Sequence, residues 1–359
     1  MRADILLIYT HKYTVSSRKS RNYLSQHYLI WLAFVVIYFT EDGINPPRPT
    51  QERTMMESHP YVAVGIVTYN HEAFLAECLD SVLAQTYPNF DIVIADDCSS
   101  DRTYDIALAY QAKYPDKIKK VLRPEKNTGI SANVNRMLAE RQAEYVLSFA
   151  GDDVMLPRKI ERQMALMLAN PDAAFCYTNL EWFDSDSGKK ICTHYGLLQQ
   201  PSEKLVDILG DNCVATNTML WRRACAPAEG YDETLPTIND LDFVLKLCQR
   251  GRPIFTREVL ARYRRHGNNL TATRFFTEER FMYLERLRKA YPQAEYAAAL
   301  RKFEAIAYYA LIRERIAEGK RGEAIRLLPR LFPWCFSSIK WLARCGIIAK
   351  SFIKGRVSY

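Results

Sequence analysis

The 359 residues are 48% hydrophobic and 25% charged with only 14 glycines, a globular composition free of collagen-like or disordered bias. The formal net charge is +8, and residues 320–359 hold the whole surplus, with nine Lys/Arg against the single acid Glu323. A neutral body with a basic tail argues against a nucleic-acid-binding core, and no nucleic-acid partner is expected.

Near the start, residues 28–39, YLIWLAFVVIYF, form an uncharged apolar run. It falls short of the ~18–20 residues that span a bilayer. Arg18, Lys19 and Arg21 precede it as in a signal-anchor, but no small-residue cleavage site follows. Met55 and Met56 stand directly before the folded pattern. Residues 1–57 are therefore expected to lie outside the folded domain, as a marginal anchor or as the product of an upstream start.

From Tyr61 onward, apolar runs alternate with helical periodicity, the pattern of a mostly parallel sheet covered by helices. YVAVGIVTY (61–69) reads as a buried strand. The apolar positions 74, 75, 78, 79, 82 and 83 that follow fit one helix face. FDIVIADD (90–97) is a second strand ending on paired aspartates, and Ser99 or Ser100 is placed to cap the next helix, with Asp101 in its first turn. IKKVLR (118–123) is a third strand, NTGISANVNRMLAE (127–140) a turn into a helix, and AEYVLSFA (143–150) a fourth strand running into GDD. In open α/β sheets ligands collect beyond the carboxyl ends of the strands, where TYNHE, DDCSSD, NTGIS and GDD all fall.

After Asp172 the strands lengthen and become more aromatic. AAFCYTNLEWF, CVATNTMLWRR and PIFTREVLARYR predict a mixed sheet, with the helix NDLDFVLKLCQRG between the last two. Beyond about residue 275 the pattern is helical, with a hairpin turning at Gly319. Nine cysteines include no C-x-x-C pair, which disfavours a disulfide framework or zinc site and suits a reducing cytosol.

Paired carboxylates at the end of a buried strand repel one another, and Asp152 and Asp153 call for protonation, solvent or a cation. A solvated turn with a helix cap is the plainer alternative. The chain has neither G-x-G-x-x-G after the first strand nor G-x-x-x-x-G-K-[ST], so a diphosphate has no glycine cradle. Mg²⁺ is commonly held by one or two carboxylates together with substrate phosphates, which makes GDD a candidate cation site. At TYNHE, Thr68, Tyr69 and Asn70 offer hydroxyls and an aromatic face to a nucleobase; Asp96 and Asp97 offer acceptors to a base N–H or ribose, or form an Asx turn.

VAVGIVTYNHEAFLAECLDSVLAQTYPNFDIVIADDCSSDRT, NTGISANVN, YVLSFAGDDVMLPRKIERQ, GYDETLPTINDLDFVLKLCQRG and LARYRRHGNNLTA, taken in this order, resemble family 2 of the inverting GT-A glycosyltransferases over about residues 60–273. The resemblance implies an α/β fold, a Rossmann-like mixed sheet of GT-A type flanked by helices. It divides the domain 58–273 into a nucleotide-sugar half, 58–155, and an acceptor half, 156–273, followed by a helical basic extension, 274–359. It further implies transfer of a hexosyl or related sugar from a nucleoside diphosphate sugar, a UDP-sugar first, to a glycan or lipid-linked acceptor, in cell-surface polysaccharide synthesis.

By the same likeness Thr68, Tyr69, Asn70, Asp96, Asp97, Asn127 and Asp152 would bind the nucleotide sugar. Asp152 and Asp153 would hold Mg²⁺ or Mn²⁺, joined by His266 of YRRHGNN, and Asp240 would be the catalytic base with Asp242 as second choice. Two positions depart from the family pattern. Ala150 stands at the first aspartate of D-x-D, and Asn239 replaces the glutamate that normally precedes the base. These departures keep a non-catalytic nucleotide-sugar-binding protein as an alternative. A sugar nucleotidyltransferase is another, although TYNHEAF lacks the basic loop it needs.

The segment 327–357 interleaves Trp334, Phe336, Trp341, Leu342, Ile347, Ile348 and Phe352 with Lys340, Arg344, Lys350, Lys354 and Arg356. This is the composition of an amphipathic segment on an anionic membrane, or of a docked helix with exposed lysines. With a lipid-linked acceptor, it leads to the expectation of a cytoplasmic protein at the inner face of the cell membrane.

Overall fold

A computed structural model describes residues 59–354, apart from 141–142, 197–198, 212, 268, 270–276 and 335–336. The apolar run 28–39, Met55, Met56, Phe336 and Arg356 lie outside the described residues. Strands β1 (Val62–Thr68), β2 (Phe90–Asp96), β3 (Ile118–Leu122) and β4 (Tyr145–Ala150) alternate with helices α1 (Leu75–Leu83), α2 (Thr103–Lys113) and α3 (Ile130–Ala139). They form a parallel block in the order β3-β2-β1-β4. Parallel strands are covered on both faces, which is why β1 and β2 are almost continuously apolar and buried. Val62, Val64, Ile66, Ile92 and Ile94 pack under α1 and α2, while Val67, Val93 and Ala95 face the core under α3.

The second half follows with β5 (Val154–Met155), α4 (Lys159–Ala169), β6 (Ala173–Asp184), β7 (Lys190–Thr193), α5 (Leu205–Asp211), β8 (Leu220–Arg222), α6 (Asn239–Cys248) and β9 (Arg252–Arg265). The sheet continues β4-β8-β6-β9-β5, with β7 on β6; β8 is antiparallel to both neighbours, and β6 and β9 run parallel. The mixed sheet is as expected, but CVATNTMLWRR is not one long strand. Three residues, Thr216–Thr218, form a 3-10 turn before a three-residue β8. Polar Thr216 and Asn217 break the apolar alternation, and their side chains bond to other elements instead of to a ladder.

The cap expected from Ser99 or Ser100 is also different. Helix α2 begins at Thr103, whose N–H donates to Asp101 Oδ1 (2.9 Å), while both Ser99 groups bond to Asp96.

The last helices are α7 (Thr277–Ala290), α8 (Ala297–Ala317), α9 (Arg321–Leu327) and α10 (Ile339–Lys354). Helix α8 ends as expected at Gly319, whose φ of +76° suits a residue without a Cβ. The boundary at residue 273 is not a packing boundary: Tyr283, Leu284 and Leu287 of α7 and Phe303 of α8 belong to the same core as Phe243 and Val244 of α6. Helix α10 is docked. Trp341 and Ile348 are buried against Ala305, Ile312 and Ile316 of α8, and Lys340 and Arg344 pair with Asp211 at 2.8 and 3.8 Å. The apolar face expected to meet a membrane is thus largely covered by protein, with Leu342 left exposed. No described helix is long and apolar enough to cross a membrane.

Candidate active site

Strand register builds the site. Thr68 lies opposite Asp96 and Val67 opposite Ala150, so the loops after β1, β2 and β4 leave the sheet along one rim. Gly151 N–H closes this rim by donating to Val67 O (2.8 Å). A Cβ on Gly151 would stand 2.9 Å from Thr68 Oγ1 and 3.3 Å from His71 Nδ1, so the close approach requires glycine. The β5–β9 pairing, with Val154 opposite Arg262, lays the Gly151–Asp153 turn beside the end of β9, where Arg264 and His266 emerge.

The two aspartates of GDD have different environments. Asp152 Oδ2 lies 3.0 Å from His266 Nε2 and 3.8 Å from His71 Nε2. Burial would raise the Asp152 carboxyl, but the His266 hydrogen bond and both imidazoles outweigh it and hold the group below its ordinary value. Burial lowers the pKa of His71, against the pull of Asp152, and so favours the neutral imidazole. Phe74 packs on the His266 ring at 4.7 Å, and Asn269 Oδ1 accepts from His266 N–H (2.7 Å).

Asp153, expected beside Asp152 as a metal ligand, is turned inward. It accepts from Arg264 N–H (2.9 Å) and Asn217 Nδ2 (2.5 Å), and burial beside Asp152 raises its carboxyl well above the usual range. One member of the pair thus holds the turn while the other faces the two imidazoles at the rim. Arg264 is buried and engaged within the fold. Its Nε donates to Asp152 O (2.8 Å), its Nη2 pairs with Glu77, and Phe74 and Phe183 cover the guanidinium at 4.8 and 4.6 Å.

The expected nucleoside residues also divide. Tyr69 is 45% exposed and Asn127 is exposed, its Nδ2 donating to Asp97 O (3.2 Å). Thr68 Oγ1 is buried without a hydrogen-bond partner, as is His71 Nδ1. The two Asp carboxylates and the Asn70 amide, by contrast, fasten loops. Asp96 accepts from Ser99 N–H (3.0 Å) and Ser99 Oγ. Asp97 Oδ1 accepts from Thr128 N–H (3.0 Å) and Oγ1 (2.7 Å), and Asp97 Oδ2 accepts from Gly129 N–H (2.8 Å). Asn70, at φ +54°, accepts from Ser100 N–H through Oδ1 (2.9 Å). Asp96 thus closes a local turn, while Asp97 and Asn70 tie together loops some 30 residues apart in the chain.

Asp240 lies in the first turn of α6 and accepts from Thr216 Oγ1 through Oδ2 (2.8 Å). Burial raises its carboxyl, and the Thr216 hydrogen bond opposes the rise. Asn239 supports it despite replacing the glutamate: its Oδ1 accepts from Asp240 N–H (2.8 Å), and its Nδ2 donates to Ser131 Oγ on α3 (2.7 Å). Glu279 of α7 accepts from Thr237 and Ile238 N–H, both at 2.9 Å, just ahead of the helix. Asp242, the second choice as base, accepts from Tyr283 Oη (3.1 Å) and pairs with Lys246 (2.9 Å), a structural role.

His71 is the residue that sequence reasoning missed. Its signal was its place three residues beyond the end of a central strand, in a motif already marked as lying at the rim.

A mixed α/β sheet with its polar clusters on one rim and flanking helices on both faces is the GT-A glycosyltransferase fold. The family model for glycosyl transferase family 2 matches residues 63–226. The uncharacterized glycosyltransferase RP339 of Rickettsia prowazekii is 31% identical over 221 residues, 60% of this chain and 67% of that one. The chain belongs to glycosyl transferase family 2.

EpsE of Bacillus subtilis, also named as a glycosyltransferase, is 38% identical over 112 residues, but the match spans only 31% of this chain and 40% of EpsE. TuaG of Bacillus subtilis, whose name assigns it to teichuronic acid biosynthesis, is 27% identical over 63% of this chain and 88% of its own. Among solved structures, S. aureus TarS 1–349, also solved with UDP-GlcNAc, covers 82% of this chain and 92% of its own at 18% identity and a TM-score of 0.57. A Pyrobaculum calidifontis mannosyltransferase, solved with GDP-Man and Mn²⁺, covers 91% and 94% at 15% identity and a TM-score of 0.55.

Proposed function

We propose that this chain is an inverting glycosyltransferase that moves a sugar from a nucleoside diphosphate sugar to a glycan or lipid-linked acceptor in cell-surface polysaccharide synthesis. The observation that carries the reading is the meeting of Asp152 with two imidazoles at the rim, on a turn whose next residue, Asp153, is joined through Asn217 and its neighbour Thr216 to Asp240. TuaG's name and the nucleotide sugars bound in the two solved structures support the substrate class.

GT-A enzymes commonly use a divalent cation. Among the described residues no three His, Cys, Asp or Glu side chains form a ready metal cluster, and the part of the site that fits Mg²⁺ or Mn²⁺ is the ionised Asp152 carboxylate at the rim, to which substrate phosphates would add oxygen ligands. Asp152 and His266 would hold the ion, with His71 beside them. Such a cation supplies positive charge against the departing diphosphate.

The remaining steps belong to the chain's own residues. Tyr69 and Asn127 present the exposed aromatic face and amide for the nucleoside, on a rim shaped by the Asp96 and Asp97 turns. The acceptor hydroxyl attacks the anomeric carbon from the side opposite the diphosphate, and Asp240 takes its proton as the new C–O bond forms and the old one breaks. One displacement inverts the anomeric configuration. The reading includes a cytoplasmic site at the inner membrane face, where a lipid-linked acceptor would lie; a tagged chain recovered entirely in the soluble fraction of lysed cells would contradict the membrane part.

Purified full-length protein with Mn²⁺ and a panel of UDP- and GDP-sugars tests the reading through release of free nucleotide. Release by wild type, falling about 10²- to 10⁴-fold in Asp240→Asn, is expected. Nucleotide-sugar binding without release favours a non-catalytic binder, and full activity in a folded Asp240→Asn removes the base.

A further inference from the structure

The three residues that replace the expected long strand are held at every position. Thr216 Oγ1 donates to Asp240 Oδ2 (2.8 Å), and Asn217 Nδ2 donates to Asp153 Oδ2 (2.5 Å). Thr218 O accepts from Gln163 Nε2 (2.8 Å) and lies 3.4 Å from Lys159 Nζ, both on α4, while Thr218 Oγ1 donates back to Ala215 O (2.6 Å). Lys159, Gln163 and Thr218 are fully buried. The turn thus has a rigid foot in the core and two side chains reaching opposite parts of the site.

We propose that Thr216 and Asn217 are positioning residues, a bridge that fixes the base Asp240 relative to the Gly151–Asp153 turn carrying Asp152. The inference rests on the transferase reading above. Catalytic groups need to be held within a fraction of an ångström of productive geometry, and a buried side chain keeps one orientation only if its rotamer is locked by neighbours. Asp240 has a short, rotatable carboxylate on a helix whose first turn is anchored from α3 and α7. Thr216 fixes which oxygen is engaged, leaving Oδ1 to accept the proton of the incoming alcohol. Asn217 does the corresponding work on the other side, where Asp153 cannot swing without losing both Asn217 and the Arg264 N–H. Tyr231, buried near Asp240, is an ionisable group that also feels the carboxylate.

The test uses full-length protein and nucleotide release from the panel of UDP- and GDP-sugars, with variants Thr216→Val, Thr216→Ser, Asn217→Ala and the double variant Thr216→Val/Asn217→Ala. Valine keeps the shape and removes the hydroxyl. It is expected to lower kcat about tenfold, to leave the KM for the donor within about twofold, and to move the acid limb of the pH–rate profile upward. Serine is expected to restore both rate and limb. Asn217→Ala is expected to lower kcat without moving the limb, and the double variant to lose less than the product of the single losses, as for two parts of one bridge.

A folded Thr216→Val with wild-type rate and profile, alongside an inactive Asp240→Asn, overturns the bridge and leaves the base in place. An active Asp240→Asn overturns the base and the bridge together. No release by wild type from any donor overturns the transferase reading beneath both.

Discussion

At the scale of single residues, adjacent aspartates with identical chemistry have different consequences when altered. Asp153 is buried and satisfies two donors, so Asp153→Ala leaves Arg264 N–H and Asn217 unpaired. A loss of about 2–4 kcal/mol is expected by urea denaturation. Asp152→Ala is expected to cost less stability, since it gives up the His266 contact rather than leaving two buried donors unpaired, and to abolish cation-dependent nucleotide binding. Equal destabilisation by the two would show that the division is wrong. The sequence displayed the GDD pair, the paired aspartates after β2 and Asp240 at a helix start. It did not display which carboxylate turns inward, because that depends on Arg264 and Asn217, 111 and 64 residues away. Asp96 and Asp97 show the same limit: their partners Ser99, Thr128 and Gly129 were within the quoted motifs, but composition does not reveal which acceptors are already engaged.

At the scale of elements, α4 carries a lysine where its periodicity puts the core. Burial brings the Lys159 pKa down from 10.5 to about 7. The unfolded chain binds this proton up to about pH 10.5 and the folded chain only below about 7, so folding is penalised below pH 7 and the penalty disappears as pH rises across that window. The full penalty is on the order of 5 kcal/mol. Lys159→Met, with Gln163 still holding Thr218 O, is therefore expected to be more stable than wild type at pH 7, with the difference shrinking steadily toward pH 10. A gap that is constant or widens with pH in chemical denaturation would contradict the buried charge. The parallel strands and their helices were legible from apolar runs and turn residues. The segment before β8 was not: Val and Thr have good strand propensity, and the long-range partners of Thr216 and Asn217 make it a turn.

At the scale of the whole molecule, the helical region after residue 276 completes the core of the catalytic body. Truncation after residue 276 removes Tyr283, Leu284 and Leu287 from the main core and Glu279 from the start of α6. The expected product is insoluble or unfolded, whereas an autonomous fold with cooperative melting would restore the boundary at 273. Trp341→Ala should cost about 3–5 kcal/mol, because its ring is buried against α8. The sequence made the helices plain but not their docking, since a basic amphipathic helix has the same pattern whether its apolar face meets lipid or protein.

The account as a whole depends on a cation and a diphosphate meeting at Asp152 and His266. Calorimetric titration of UDP and of GDP into wild type and Asp152→Asn, each with and without Mn²⁺, measures this directly. The account predicts that one nucleotide binds wild type only when Mn²⁺ is present and that a folded Asp152→Asn loses this dependence along with the binding. Binding by wild type that ignores Mn²⁺, or undiminished Mn²⁺-dependent binding by the variant, would contradict it.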